Sequence, residues 1–294
     1  MKPRQIASIS VLVVLFASIA VLTRQPQVSL ISDDDSARLR LGSYREPVLT
    51  TADIDQPSRR LMISHWRGTV SMTLSTAPLP PSVTTALNHD RSQIVFLDLR
   101  NVDHSGCDWL RFEEMPRLKY LRLPMNSPLQ QVQSAFEVPS LVALDVSKTD
   151  VSALQLNDPI KLLDLQVLNL SYSKSSAENL SKLSHLPKLE EIILNGDADD
   201  VSIEAMCQRE WMRLRRIRVR HSSIGPSGLS AILAQKGVEE VDLMGCSRIT
   251  DMCIPKFIAA KSLRRIVIGS TGITPDGIAQ LKREFGPGVV DALP

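Results

Sequence analysis

His104 and Cys107 stand three residues apart, a spacing that could supply half of a zinc site. No second pair completes the four ligands, so they read as a surface histidine beside a core cysteine. Asp197, Asp199 and Asp200 could attract calcium, but the twelve-residue loop closed by a glutamate is missing, and they read as a solvated loop. Gly225-Pro226-Ser227-Gly228 lacks the Gly-x-Ser-x-Gly spacing of a nucleophile turn and reads as a loop entering a helix. No phosphate-binding loop occurs. Two Asn-x-Ser sequons, at Asn169 and Asn179, matter only in a eukaryotic secretory route. No catalytic residue, metal or cofactor is expected, and the chain does not read as an enzyme.

Cysteines 107, 207, 246 and 253 are too few and too scattered for a disulfide framework. They read as small buried apolar side chains. Cys246 and Cys253 bracket one turn, so a disulfide between them is the other reading.

The elements behind these residues follow from one recurring pattern: apolar, two variable, apolar, one variable, apolar. It reads Ile94/Leu97/Leu99, Leu118/Leu121/Leu123, Leu141/Leu144/Val146 and Leu165/Leu168/Leu170. It continues as Leu189/Ile192/Leu194, Leu214/Ile217/Val219, Val238/Val241/Leu243 and Leu263/Ile266/Ile268. Successive copies start 23 to 25 residues apart, the signature of a leucine-rich-repeat solenoid. Each copy supplies a short strand whose alternate residues point inward. The return segment is helical in the clearer copies, as at 227–236 and 274–283, where Thr274 is a plausible N-cap and Pro275 fits the first helical position. Pro116, Pro139 and Pro187 each precede a new strand by one turn. One strand inside and one helix outside per repeat gives an α/β solenoid, with a curved parallel sheet on the concave face and helices on the convex face.

The repeats occupy 61–294. Thr69–Leu74 alternates as an atypical first strand before the helical stretch 82–87, and Val290 with Ala292 reads as a stub strand closing the other end. Residues 23–60 lack periodicity and read as a flexible linker. In segment 1–22, Lys2 and Arg4 precede an apolar run at 6–22. This is a signal anchor or a signal peptide cut after Ala20. The positive-inside rule keeps the N-terminus cytoplasmic and sends the repeats across. The protein is thus expected to be single-pass and extracytoplasmic, or secreted after cleavage. A net charge of +2 gives no pull toward nucleic acid.

The stretch from Val238 to Asp251, with Cys246 three residues past the strand and Ile249-Thr250-Asp251 leading into the helix, resembles the cysteine-containing subtype of leucine-rich repeat. Ser270-Thr271-Gly272-Ile273-Thr274 is similar to the bacterial form, with threonine in the cysteine's place. The plan resembles bacterial envelope-anchored leucine-rich-repeat proteins. The resemblance implies the fold strongly and a function only weakly.

What remains for function is the outward face of the sheet. Its C-terminal half alternates Glu191, Arg216, Glu240, Arg265, with Glu190, Arg215, Glu239, Arg264 one residue earlier, and reads as self-neutralised rather than as an anion-binding groove. Its N-terminal half aligns Phe96, Tyr120, Ala143 and Val167, edged by Arg122 and Tyr172. An exposed apolar stripe with aromatic and arginine members suits an interface. Arg122 can pair with Asp98, with Asp145 or with a partner's carboxylate. The alternative is that the linker or first repeat folds back over the stripe. The expected function is non-enzymatic binding of a protein or peptide through Phe96, Tyr120, Arg122, Val167 and Tyr172. A structural scaffold organising a cell-envelope complex is the second reading.

Overall fold

A computed structural model describes residues 50–53, 60–66, 69–74, 91–100, 110–156 and 161–292. The expected membrane segment, the 82–87 stretch, His104 and Cys107 lie outside the described residues. Among the described residues no helix is long and apolar enough to cross a membrane.

The strands form one sheet in chain order. They are β1 (Thr50–Asp53), β2 (Arg60–Trp66), β3 (Thr69–Leu74), β4 (Ile94–Asp98), β5 (Tyr120–Arg122), β6 (Ala143–Asp145), β7 (Val167–Asn169), β8 (Glu191–Ile193), β9 (Arg216–Arg218), β10 (Glu240–Asp242), β11 (Arg265–Val267) and β12 (Val290–Asp291). From β3 onward every pairing is parallel. The α/β leucine-rich-repeat solenoid read from the spacing is therefore the fold, and β12 is the expected stub. Ahead of β3, β1 and β2 pair antiparallel. β1 falls inside the stretch without periodicity, where four residues are too few to show alternation.

The inward residues of successive strands stack into one continuous core, with Leu97, Leu121, Leu144, Leu168, Ile192, Ile217, Val241 and Ile266 all essentially buried. Each such side chain contributes roughly 1.5–3 kcal/mol by leaving water. The convex layer holds α1 (Leu129–Phe136), α2 (Ala177–Leu183), α3 (Asp200–Met206), α4 (Pro226–Leu233), α5 (Ile254–Ala259) and α6 (Pro275–Phe285). Their buried faces, such as Val132/Phe136, Ile203/Met206 and Leu229/Ile232, close the core. Thr274 caps α6 by accepting the Gly277 N–H, and Pro275 lies in its first turn, as expected. Helices are not universal. Phe112–Glu114 is one 3-10 turn, and between β6 and β7 the described residues form turns. There Val151, Leu154 and Leu156 are buried at a spacing that no helix face matches.

A recurring bond explains the position four residues past β6, β9 and β11. Thr149, Ser222 and Thr271 donate their hydroxyls to the carbonyls of Val146, Val219 and Ile268, three residues back. Cys246 occupies the same place and donates Sγ–H to Val219 O of the preceding repeat at 2.9 Å. Val219 O thus accepts from both Ser222 and Cys246, and the position suits a small side chain that carries a donor inward. Cys246 and Cys253 are buried free thiols rather than a disulfide, and Cys207 is a half-buried free thiol.

Candidate binding face

The parallel register places the outward residues in rows. Phe96 stands beside Tyr120, Tyr120 beside Ala143, Ala143 beside Val167 and Val167 beside Glu191; Glu191, Arg216, Glu240 and Arg265 follow in turn. The rows are those expected, but their exposure is not. Phe96 is 5% exposed and Tyr120 9%, and with Val95 and Ala143 they form a second apolar cluster, flanked by Val142 and Val167. The two ring centroids lie 6.1 Å apart, tilted by 40°. The rings pack within this cluster, and little of either surface meets water. Pointing away from the main core is therefore not exposure here, and Phe96 and Tyr120 do not present open faces to a partner.

Arg122 is also withdrawn, at 3% exposure. Its Nη1 donates to Asp98 Oδ2 at 3.3 Å, and its Nε lies 3.9 Å from Asp145 Oδ2. Asp98 in turn holds Arg100, whose Nε and Nη2 approach it at 3.0 and 2.9 Å. The guanidinium is spent inside the fold. Of the expected site, Val167 is half-buried and Tyr172 alone is well exposed, at 46%.

The acidic and amide residues of this middle row have a local duty the sequence reading missed. Asp98, Asp145, Asn169 and Asp242 each accept, through Oδ1, the backbone N–H two residues on. These Asx turns end the strands. The signal is visible in Leu-Asp-Leu-Arg, Leu-Asp-Val-Ser, Leu-Asn-Leu-Ser and Val-Asp-Leu-Met, where Asp or Asn stands between two inward residues.

Beyond the strand ends runs a rung of left-handed residues. Asn126, Lys148, Tyr172, His221 and Ser270 have φ between 52° and 58°, and Gly196 and Gly245 hold the same position in the intervening repeats. Backbone bonds tie the rungs together: Tyr172 N–H donates to Asn195 O at 2.7 Å and His221 N–H to Met244 O at 2.8 Å. A Cβ added to Gly196 would overlap the Tyr172 ring, and one added to Gly245 would overlap His221 Nδ1. Each ring thus fills the space beside the glycine of the next repeat. A left-handed L-residue costs roughly 1–2 kcal/mol relative to the right-handed form, and glycine removes that cost. Tyr172 and His221 occupy this position although the fold accepts glycine there.

The C-terminal half is not a simple alternation. Glu191, almost fully buried, receives two arginines: Arg216 Nε donates to Oε2 at 2.8 Å, and Arg218 Nε lies 2.8 Å from Oε1. Arg220 Nε donates to Asp242 Oδ2 at 2.7 Å. Arg265 reaches Asp291 at 3.7 Å. Among the described residues no group of three or more His, Cys, Asp or Glu is placed to hold a metal ion.

No family model matches the chain, and no curated protein matches it. Among solved structures it is similar to an internalin from Listeria monocytogenes, at 14% identity and a TM-score of 0.46, over 69% of this chain and 54% of that one. It is also similar to an LRR protein of Leptospira interrogans, at 15% identity and a TM-score of 0.41, over 74% of this chain and 58% of that one. The chain thus spans somewhat more than half the length of these structures.

Proposed function

We propose that the chain is a non-enzymatic module that binds a protein or peptide along its concave face and left-handed rim. We infer further that the segment 6–22 anchors it in a membrane with the repeats on the outer side. The apolar run behind Lys2 and Arg4 supports the anchor. The observation that carries the binding reading is Tyr172, an exposed aromatic ring held in a left-handed conformation that glycine would adopt more cheaply. Two repeats on, His221 is also exposed and in the same conformation. Aromatic side chains presented on a rigid scaffold are the usual anchors of interfaces.

The test is a photo-crosslinking amino acid placed at Tyr172, at His221, or at Met212 on the far side, which is 80% exposed. The same cognate protein should crosslink from Tyr172 and His221 and not from Met212. Crosslinks from Met212 alone would move the interface off this face. A crosslinked assembly that never exchanges subunits with free protein would favour the scaffold reading.

A further inference from the structure

The N-terminal half of the concave face is buried more deeply than its own sheet explains. Phe96, Tyr120 and Ala143 point away from the main core, yet they keep only 5%, 9% and 2% of their surface. Further along the same row the Arg216 and Arg265 side chains keep 29% and 48%. All of these residues stand beside a neighbour in the next strand, so strand spacing does not account for the difference. The described apolar residues that pack against the cluster are Val167, in β7, and Val142, just before β6. Both belong to the sheet and do not lie over it. In the next row Arg122 Nε and Asn169 Nδ2 are buried and meet no hydrogen-bond acceptor among the described residues. Buried donors are ordinarily hydrogen-bonded. An outward face that excludes water and holds unmet donors is a covered face.

We propose that the cover is the chain's own stretch ahead of β1, residues 23–49, laid across β4–β7. Topology selects it. A connection between adjacent parallel strands crosses one face of the sheet, and here the helices mark the convex face as the one crossed. The connections within β1, β2 and β3 join antiparallel neighbours, which needs only a turn at the strand ends. The stretch before β1 is bound by neither rule. It also has a suitable pattern, since Leu39 and Leu41 alternate with Arg38 and Arg40. An extended chain of that pattern turns its leucines to one side. Leu41 lies nine residues before β1, a reach of up to about 30 Å. The row from Phe96 to Val167 runs from three to six strand spacings beyond β1, roughly 14 to 29 Å. The leucines therefore reach the apolar row, and the backbone carbonyls around them supply acceptors for Arg122 and Asn169. This half of the groove is then withheld from partners, while Tyr172 on the rim stays open. The inference stands apart from the protein-binding reading.

The experiment places a photo-crosslinking amino acid at Leu41 in the full chain and maps the product by peptide. An intramolecular crosslink to the peptides that hold Phe96, Tyr120 or Val167 is expected. Hydroxyl-radical footprinting supplies a second readout. Tyr120 should be labelled several times more slowly than Tyr172, in line with 9% against 46% exposure. Leu39→Asp with Leu41→Asp should raise the labelling of Phe96 and Tyr120 severalfold, while Phe112 and Phe257 in the main core stay protected. A crosslink formed only between two chains would put a second copy on this face and overturn the proposal. Equal labelling of Tyr120 and Tyr172 in the native chain would overturn it too, as would unchanged protection of Phe96 and Tyr120 in the double variant. Neither readout involves a cognate protein, so the binding module stands or falls separately, on the crosslinks from Tyr172 and His221.

Discussion

Asp200 opens one helix and caps the next: its Oδ1 accepts the N–H of Gly228 at 2.9 Å and that of Gly225 at 2.7 Å, across a repeat boundary. Two repeats further on, Asp251 likewise accepts the Thr274 N–H at 2.9 Å from across a repeat boundary. The carboxylate occupies the space where a side chain on the third helical residue would begin. A Cβ on Gly228 would stand 2.7 Å from Asp200 Oδ1 and 2.8 Å from Ile224 Cγ1. Gly→Ala inside a helix ordinarily gains up to about 1 kcal/mol. Here we expect Gly228→Ala to destabilise by about 1–3 kcal/mol, measured by urea unfolding. In an Asp200→Ala background the added penalty should shrink, leaving the Ile224 contact. A stabilising Gly228→Ala in the native background would show that the inter-repeat cap does not close as described.

Arg122 joins Asp98 and Asp145 in the buried middle row. Arg122→Met removes the cation and leaves two withdrawn carboxylates one strand spacing from it on either side. The expected cost is about 3–5 kcal/mol. Asp98→Asn together with Arg122→Met should recover part of it, because one uncompensated charge goes with the cation. Simple additivity in this cycle would mean that the row is not coupled.

Asp199 caps α3 by accepting the Ser202 N–H, and the Ser202 hydroxyl answers to the Asp199 N–H. The Ser202 side-chain and backbone bonds hold the Asp199 carboxyl below its ordinary value of 3.8. A carboxyl lowered on folding stabilises the protein above its unfolded value and loses that contribution as pH falls through the folded value. Asp199→Ala should therefore cost about 1 kcal/mol near neutrality. Its difference from the parent should be constant down to the ordinary aspartate range and vanish below it. Denaturant titrations between pH 7 and strongly acidic conditions measure this directly.

The repeat period, the core rows and the strand register were all legible, because an inward residue at every second strand position repeats regardless of what surrounds it. Glu191 beside Arg216 and Phe96 beside Tyr120 follow from counting alone. Burial on the concave side was not legible. Whether Tyr120 meets water depends on what packs over it, and alternation says only which way it points. The double engagement of Glu191 was hidden for a related reason, since Arg218 reaches it diagonally across the row pattern. The Asp200 cap spans a whole repeat and makes no contact inside any short window. The left-handed rung carried a signal in the glycines at 196 and 245, but Tyr172 and His221 at the same place disguise it.

Burial pushes the Cys207 thiol up to about 12, and burial also raises Cys246. Both remain protonated at pH 8, and the thiolate is the reactive form. A thiol reagent at that pH should modify neither in the folded protein and both after denaturation. Rapid labelling of Cys246 in the native state would contradict its place against Val219 O.

The most direct measurement concerns Tyr172 and His221. Tyr172→Gly and His221→Gly replace rim rings with the residue the left-handed rung already accepts at Gly196 and Gly245. The cognate protein identified by crosslinking is then titrated against the parent and the double variant, alongside thermal unfolding. We expect stability within about 1 kcal/mol of the parent, because the relief of the left-handed backbone offsets the lost ring contacts. Affinity should fall at least tenfold, about 1.4 kcal/mol. Unchanged affinity in a variant that folds normally would contradict the claim that this rim is the binding surface.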